Sequence, residues 1–148
     1  MGAAVPAYTI RAATVDDAAE LARLFVELGH PAHAGEVAAR WTAFAAAGNS
    51  TLVAASGGGL LGAATLHRTH VLHRPRPVGR ITAMVVDARF RGAGIGRALV
   101  AAAERELAAA GCGLVEVTSN LRRGDAHAFY ERLGFDRTSY RFARSVAP

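Results

Sequence analysis

The sequence predicts one domain of the α/β (α+β) class, and three observations support that fold class. The chain has 148 residues, of which 51% are hydrophobic, and a chain of this length can bury a sizeable core. Apolar residues recur with a period of two in some segments, as in strands, and near 3.6 in others, as in helices. In the second half an apolar strand, a long helix and another apolar strand follow one another, which calls for a right-handed crossover between parallel strands.

The first half of the chain is predicted to form a strand, two helices and a hairpin. The strand covers residues 8–13, and Thr14 and Asp17 after it have the spacing of a helix capping box. The first helix is marked by four apolar residues on one face: Leu21, Leu24, Phe25 and Leu28. Gly29 ends that helix, and a second amphipathic helix is predicted over residues 35–47.

The hairpin has predicted strands over 50–55 and 60–67, joined by the turn "SGGG". Residues 68–79 are basic, and Pro75 and Pro77 exclude regular structure there. The remaining elements are predicted, in chain order, as a strand over 80–86, a helix over 95–110, a strand over 114–119, a helix over 125–133 and one or two strands within 135–146.

Composition and charge limit the classes of protein to which the chain can belong. No apolar run reaches the about 18 residues of a membrane span, and the N-terminal stretch lacks the basic-then-apolar pattern of a secretion signal. The single cysteine, Cys112, excludes an internal disulfide and suits a reducing compartment, so we expect a cytoplasmic protein. The formal charge of +5, with 17 arginines and no lysine, favours anionic partners without choosing among them.

The stretch "RFRGAGIGRAL", residues 89–99, places alternating glycines between a predicted strand and a predicted helix. The spacing G-x-G-x-G is not the G-x-G-x-x-G of a dinucleotide fold, and a chain without lysine has no Walker A motif. A helix N-terminus with glycines and nearby arginines is nevertheless suited to a phosphate, because unpaired N–H groups face an anion that can approach closely. The glycines alone are equally consistent with a plain strand-to-helix turn.

Two motifs together resemble the GNAT superfamily of N-acetyltransferases. The first is Arg91-x-x-Gly94-x-Gly96 after the apolar strand that ends in "MVVD", and the second is "AHAFYERLGF" at 126–135. The resemblance implies a single GNAT acetyltransferase domain over 1–148. It also implies a GNAT fold, with a mixed, strongly twisted sheet flanked by helices and a splayed central cleft between strands 80–86 and 114–119.

The same resemblance implies that acetyl-CoA is the co-substrate. Its pantetheine arm is expected along the backbone of strand 80–86, and its diphosphate on the N–H groups of residues 92–97. The residues implied to contact it are Met84, Val85, Val86, Arg91, Gly92, Ala93, Gly94, Ile95, Gly96, Arg97 and Asn120. Candidates for its 3′-phosphate are Arg89, Arg91, Arg97 and Arg122, each of which is equally consistent with a solvated surface arginine.

Acetyl transfer to an amine needs a proton donor for the leaving thiolate and a route for the proton that the amine loses. Tyr130 corresponds to the tyrosine that is often the general acid in this superfamily, the alternative being an aromatic packed on the core. For the base, the candidates are His67, His73 and Glu116, of which His67 and Glu116 are preferred, and a relay of water is a further alternative. Glu116 is equally consistent with the solvent-facing side of its strand, and His67 with a loop residue facing solvent.

A closer resemblance, over residues 116–146 and more weakly over 62–86, is to the aminoalkylphosphonate N-acetyltransferases. That group has acidic residues in strand 80–86 where this chain has Arg80 and Ala83, so the acceptor and any metal dependence are left open. We expect no metal site. His73 and Arg80 are the candidate substrate residues, since the basic segment 67–80 favours an acceptor amine that also carries an anionic group.

The sequence therefore predicts an acetyl-CoA-dependent N-acetyltransferase acting on a small-molecule primary amine. One alternative is acetylation of protein N-termini, lysines or aminoacyl-tRNA, and another is a non-catalytic acetyl-CoA-binding module. The chain shows no basic helix face with interleaved aromatics, which argues against a nucleic-acid partner, and no membrane partner is expected. Whether the protein is a homodimer is left open.

Overall fold

The structure is a computed structural model, and it describes residues 4–119 and 123–148. The chain divides into two units, of which the first ends at Val117 and the second begins at Thr118. The first unit contains the sheet and three of the helices, and the second contains a short helix and the C-terminal segment. The single domain over 1–148 stays a prediction.

Within the described residues, five strands form one sheet in the order β1-β2-β3-β4-β5. Neighbouring strands are antiparallel from β1 to β4, whereas β4 and β5 are parallel, so the sheet is mixed as predicted. The strands are β1 (Tyr8–Ala12), β2 (Asn49–Ser56), β3 (Gly59–Thr69), β4 (Val78–Val86) and β5 (Leu114–Val117). No helix in the described ranges is long and apolar enough to cross a membrane.

The helices have the predicted order, and their ends have identifiable causes. They are α1 (Ala18–Leu28), α2 (Ala34–Ala46), α3 (Ile95–Ala109) and α4 (Gly124–Arg132), with 3₁₀ turns at Val15–Asp17 and Ala88–Phe90. The capping box is present, and the backbone N–H of Thr14 donates to the Asp17 carboxylate at 2.9 Å. Gly29 ends α1 at φ 90°, in the left-handed region that favours glycine.

Helices cover both faces of the sheet with apolar side chains. On one face Leu21 and Leu24 of α1 and Val37 of α2 join the core with Val53 and Val85. Each side chain removed from water in this way contributes about 2 kcal/mol.

On the other face α3 packs closely against strand glycines. A Cβ on Gly62 would lie 3.1 Å from Leu99 Cδ1, and one on Gly79 would lie 2.8 Å from Leu107 Cδ1. The α1–α2 layer and α3 therefore cover opposite faces of the central strands.

The sheet is open between β4 and β5. β4 pairs with β3 along its length but with β5 only over Val78–Ile81. From residue 82 to residue 86, β4 therefore has no partner strand on its β5 side among the described strands. This opening is the splayed arrangement that the sequence predicted.

Several element boundaries differ from the predictions, and the prediction of strands at the C-terminus is wrong. β3 continues to Thr69, beyond its predicted end at residue 67, and His73 lies outside the strand. No regular structure follows α4 in the described chain, and Tyr140, Phe142 and Val146 are 78%, 93% and 85% exposed. An alternating pattern makes a strand only where a neighbouring strand supplies backbone hydrogen bonds, and none of the described strands pairs with this segment.

Candidate functional site

The glycine stretch forms the turn that leads from β4 into α3. Gly92 and Gly94 have φ values of 80° and 88°, and a Cβ on either would meet no atom within 4 Å. The first backbone bond of α3 runs from the Ala98 N–H to the Gly94 carbonyl, so the N–H groups of residues 95–97 have no partner within the helix. The buried Ile95 fixes the helix start in the core. The stretch can thus offer open backbone donors and a partial positive charge to an anion.

A buried carboxylate supports this turn from below. Asp87, only 1% exposed, directly follows β4 and accepts bonds from the backbone N–H of Arg89 at 2.9 Å and from Arg89 Nη2 at 2.8 Å. It also accepts from Arg23 Nη1 of α1 at 2.7 Å. Hydrogen bonds from Arg89 hold the pKa of the Asp87 carboxyl far below its usual range. This carboxylate therefore stays ionised and ties the turn to α1.

The Asp87 network reaches further into α1 and β3. Arg23 also donates to the carbonyl of Leu60 at 2.7 Å and to Glu20, which accepts the Leu60 N–H at 2.9 Å. Glu27 of α1 accepts the Ala88 N–H at 2.9 Å. Two carboxylates, one at the end of β4 and one on α1, thus hold the same short segment in place.

The arginines of the stretch have different surroundings. Arg89 is committed to Asp87, and its guanidinium lies 5.1 Å from the centroid of the Phe90 ring. Arg91 donates through Nε to the Val86 carbonyl at 3.1 Å and lies 3.5 Å from Glu27. Arg97 is exposed on the first turn of α3 and makes no ion pair within the described residues. Arg97 is therefore the arginine of this stretch whose charge is least balanced by the protein.

The predicted pantetheine residues lie on β4 at the open part of the sheet. Met84 and Val86 are half-buried, while Val85 is buried in the core with α1 and α2. All three pair with β3 on one side, opposite Ala64, Ala63 and Gly62. β5 pairs with β4 only as far as Ile81, so at residues 84–86 the backbone N–H and C=O groups on the β5 side have no partner in a described strand.

Four polar residues form a row across one face of the sheet. They are register partners on successive strands: Asn49, His67, Arg80 and Glu116. Residues paired across neighbouring strands point to the same side, which places all four on one face. It is the face that α1 and α2 cover nearer Val53 and Ala63. We call these four residues the polar row.

The polar row consists of two hydrogen-bonded pairs. His67 Nδ1 lies 2.6 Å from Asn49 Oδ1, and Arg80 Nη2 donates to Glu116 Oε2 at 2.9 Å. His67 and Glu116 are half-buried, whereas Arg80 is exposed. The candidate base His67 is thus oriented by an amide, and the candidate base Glu116 has an arginine as its partner. The roles of the three predicted residues in the row stay predictions.

Tyr130 belongs to the second unit, where aromatic rings surround it. Its ring packs edge-on against Phe129 at 5.1 Å and Phe135 at 5.8 Å between centroids. Burial raises the pKa of the Tyr130 hydroxyl, and the nearby charge of Arg123 opposes this more weakly. The phenol therefore carries its proton at neutral pH, as a general acid must.

The remaining predicted residues do not join these clusters. His73 lies exposed in the irregular segment between β3 and β4. Asn120 and Arg122 lie outside the described residues. Among the residues that the structure describes, no three histidine, cysteine or acidic side chains come together as a metal site requires.

Comparison with known proteins decides the family. A family model described as "Acetyltransferase (GNAT) family" matches residues 15–135, which is most of the chain. The chain belongs to the GNAT acetyltransferase family. The predicted family and fold class are confirmed, and the prediction of an N-acetyltransferase is confirmed at the level of the family.

Individual relatives of this GNAT chain differ in how much they share. An aminoalkylphosphonate N-acetyltransferase of Salmonella typhimurium is 38% identical over 89 residues, which are 60% of this chain and 58% of that enzyme. An acetyltransferase structure from Trypanosoma brucei is 28% identical with a TM-score of 0.84, covering 95% of this chain and all of that one. A glucosamine-6-phosphate N-acetyltransferase from Arabidopsis thaliana, 19% identical over 95% of this chain and 99% of that chain, shares the fold with a TM-score of 0.82.

Sequence reasoning did not find the residues that support the GNAT site. Asp87 was noted only as the end of "MVVD", although a lone acid that closes an apolar strand before a glycine turn is an available signal. Its partner Arg23 lies 64 residues earlier, a distance at which no local pattern connects them. Asn49 stands at a strand end and has no motif around it.

Proposed function

We propose that the protein is an acetyl-CoA-dependent N-acetyltransferase whose acceptor is a small-molecule primary amine. The observation that carries the proposal is the turn of residues 92–97, where the left-handed Gly92 and Gly94 leave open space beside helix N–H groups that have no partner within the helix. That turn is the segment that the sequence motif marks for the diphosphate, and the chain is a GNAT member. An anion at this position gains from the helix dipole and from close approach to the backbone.

The residues present fit the diphosphate and pantetheine groups of acetyl-CoA. Glycines at 92, 94 and 96 keep side chains away from the donors, and Arg97 supplies a positive charge that is not committed elsewhere in the described chain. We assign the 3′-phosphate to Arg97 in preference to Arg89, since Arg89 holds Asp87. The open backbone of β4 near Met84 suits an amide-bearing arm, which hydrogen-bonds as a strand does.

The reaction requires a free amine and a protonated leaving thiol. An alkylamine with a pKa of about 10.4 is deprotonated in about one molecule in 2,500 at pH 7, a cost of about 4.6 kcal/mol. We assign proton removal to His67, which an amide orients, in preference to Glu116, which Arg80 holds as an ion pair. Tyr130 is proposed as the acid for the thiolate, because its raised pKa keeps it protonated.

For the acceptor we propose an amine that also carries an anionic group, such as an aminoalkylphosphonate or an amino acid. A guanidinium has five N–H donors, and the hydrogen bond to Glu116 uses one of those on Arg80. The others make no hydrogen bond to the described residues and can bind a phosphonate or carboxylate beside the exposed Arg80. The partial match to an aminoalkylphosphonate N-acetyltransferase supports this class of acceptor, and it spans 58% of that enzyme.

The experiment is thiol release from acetyl-CoA in the presence of a panel of amines, combined with calorimetric binding of acetyl-CoA. Gly94→Asp places a negative charge over the diphosphate site and should weaken binding at least tenfold, about 1.4 kcal/mol. Gly111→Asp is the matched control, since Gly111 has φ 91° and open space at the other end of the same helix. Equal affinities of the two folded variants would refute the assignment of the turn.

The two alternatives correspond to distinct outcomes of the same panel. Thiol release with peptides or aminoacyl-tRNA but with no small amine would show a macromolecular acceptor. Tight acetyl-CoA binding without thiol release on any amine would show a binding module. Either result would replace the proposed reaction while leaving the acetyl-CoA site in place.

A further inference from the structure

Asn49 and His67 form a hydrogen-bonded pair whose direction the structure defines. Asn49 opens β2, and its side-chain Nδ2 donates to the carbonyl of Phe44 near the end of α2 at 3.0 Å. Because the NH₂ group is used in this way, the carbonyl oxygen Oδ1 is the atom that faces His67. It lies 2.6 Å from His67 Nδ1.

This arrangement selects one tautomer of the imidazole. An amide oxygen only accepts hydrogen bonds, so the proton between the two side chains must reside on His67 Nδ1. The neutral ring then has its lone pair on Nε2, and Nε2 makes no hydrogen bond to the described residues. The backbone carbonyl of α2 thus determines, through Asn49, which nitrogen of His67 can take up a proton.

We propose that Asn49 is a positioning residue that holds His67 with Nε2 as the proton acceptor for the incoming amine. This inference rests on the proposed function and names the base of that same site. The acceptor ammonium gives one proton to Nε2, and the free amine attacks the thioester carbonyl carbon. The C–S bond then breaks. The nitrogen loses its second proton and the thiolate gains one proton, so this step releases no net proton. One proton per turnover passes from Nε2 to solvent.

The charged groups that face this pair belong to the polar row. Arg80 of β4 lies opposite His67, and Glu116 of β5 binds Arg80, so the positive charge beside His67 in the polar row has its own counter-ion. β2 and β3 present Asn49, Thr51, Thr65 and Thr69 on this face, none of which titrates. On α2 the charged pair of Glu36 and Arg40 lies one turn or more before Phe44. Within the described chain, the neutral amide of Asn49 is therefore the hydrogen-bond partner that orients the His67 ring.

The first test measures the tautomer directly in the resting protein, without any substrate. Long-range ¹H–¹⁵N spectra identify which ring nitrogen is protonated, and His67→Gln assigns the signal among the 6 histidines. We expect the Nδ1–H form in the wild type at neutral pH and a mixture, or the Nε2–H form, in Asn49→Ala. The Nε2–H form in the wild type would overturn the inference, whether or not the protein acetylates an amine.

The second test uses the kinetics of three variants. Asn49→Ala should lower kcat by about 10- to 100-fold while the KM for acetyl-CoA stays within about twofold. Asn49→Asp loses the bond to the Phe44 carbonyl but keeps an acceptor oxygen for His67 Nδ1, and its charge stabilises imidazolium. It should therefore retain the tautomer and move the acidic limb of kcat/KM to higher pH. Ser50→Ala, at the next residue and on the opposite face, is the control and should match the wild type.

These measurements separate the inference from the proposed function. If no amine is acetylated but the tautomer and its response to Asn49→Ala are as expected, the reaction is refuted and the pair stands as described. If amines are acetylated but Asn49→Ala leaves kcat and the pH profile unchanged, the positioning role is refuted and the reaction stands.

Discussion

Replacing Asp87 with asparagine tests how strongly the buried carboxylate holds the glycine turn. The change removes a charge from a side chain that is 1% exposed. It leaves Arg89 without the carboxylate that it binds, and Arg23 with Glu20 alone. Breaking a fully buried pair costs about 3–5 kcal/mol. Arg23 and Arg89 are 36% and 66% exposed and can regain water, so we expect the lower end of that range, about 3 kcal/mol.

The assay is equilibrium unfolding in urea at neutral pH, with the free energy of unfolding compared between the variant and the wild type. Asp16→Asn is the control, because Asp16 is exposed one residue before the capping aspartate and makes no ion pair in the described chain. A loss of less than about 1 kcal/mol in Asp87→Asn would place the pair in the range of ordinary surface ion pairs. That result would refute the view that Asp87 anchors the turn.

The pH dependence of the same difference follows from the depressed pKa of Asp87. A carboxyl whose pKa is lower in the folded state than in the unfolded chain stabilises the fold above the unfolded value, about 3.9, and loses that contribution as the pH falls further. The difference in stability between wild type and Asp87→Asn should therefore be constant from about pH 7 to pH 5 and shrink below about pH 4. A difference that grows as the solution is acidified would contradict this sign.

Three further predictions concern packing, the acid and the acceptor. Gly79→Ala places a Cβ 2.8 Å from Leu107 Cδ1 and should lower the free energy of unfolding by about 1–3 kcal/mol. Thermal melting measures the loss, and Gly57→Ala is the control, because a Cβ there meets nothing within 4 Å. Tyr130→Phe should lower kcat by about 10²- to 10³-fold with little change in the KM for acetyl-CoA, and a loss below about threefold with chemistry rate-limiting would make the residue a packing aromatic. Arg80→Ala should reduce the preference in kcat/KM for 2-aminoethylphosphonate over ethylamine, and equal values for both amines in the wild type would remove the reason for assigning an anion to this residue.

The helices and the glycine turn were predictable because their signals are local. Leu21, Leu24 and Phe25 repeat at helical spacing before a terminating glycine, and the turn combines a strand end, glycines and a helix start within a few residues. The C-terminal strands were predicted wrongly for the complementary reason. Alternation of Tyr140 and Phe142 is a local signal, but a strand depends on a partner elsewhere in the chain.

The polar row was not predictable because it depends on strand register. The pairing of β3 with β4 shifts by one residue between Thr65 and Leu66, which brings Arg80 opposite His67. Without that shift the partner of His67 would be Ile81, and Arg80 would point to the other face. A bulge of this kind leaves no signal in the alternation of β3, so the sequence alone could name His67, Arg80 and Glu116 without placing them together.

The anchoring of the glycine turn also bears on how an anion would bind there. Ordering one backbone residue costs about 1–2 kcal/mol of conformational entropy, and a loop that orders on binding subtracts this cost from its affinity. Here Asp87 and Glu27 hold the segment from Asp87 to Arg91 through contacts within the folded protein itself, independently of a ligand. The entropy cost of ordering the turn is thus part of the free energy of folding and does not reduce the affinity for the anion. Substitutions in α1 that remove these contacts should therefore weaken anion binding, although the substituted residues do not touch the ligand.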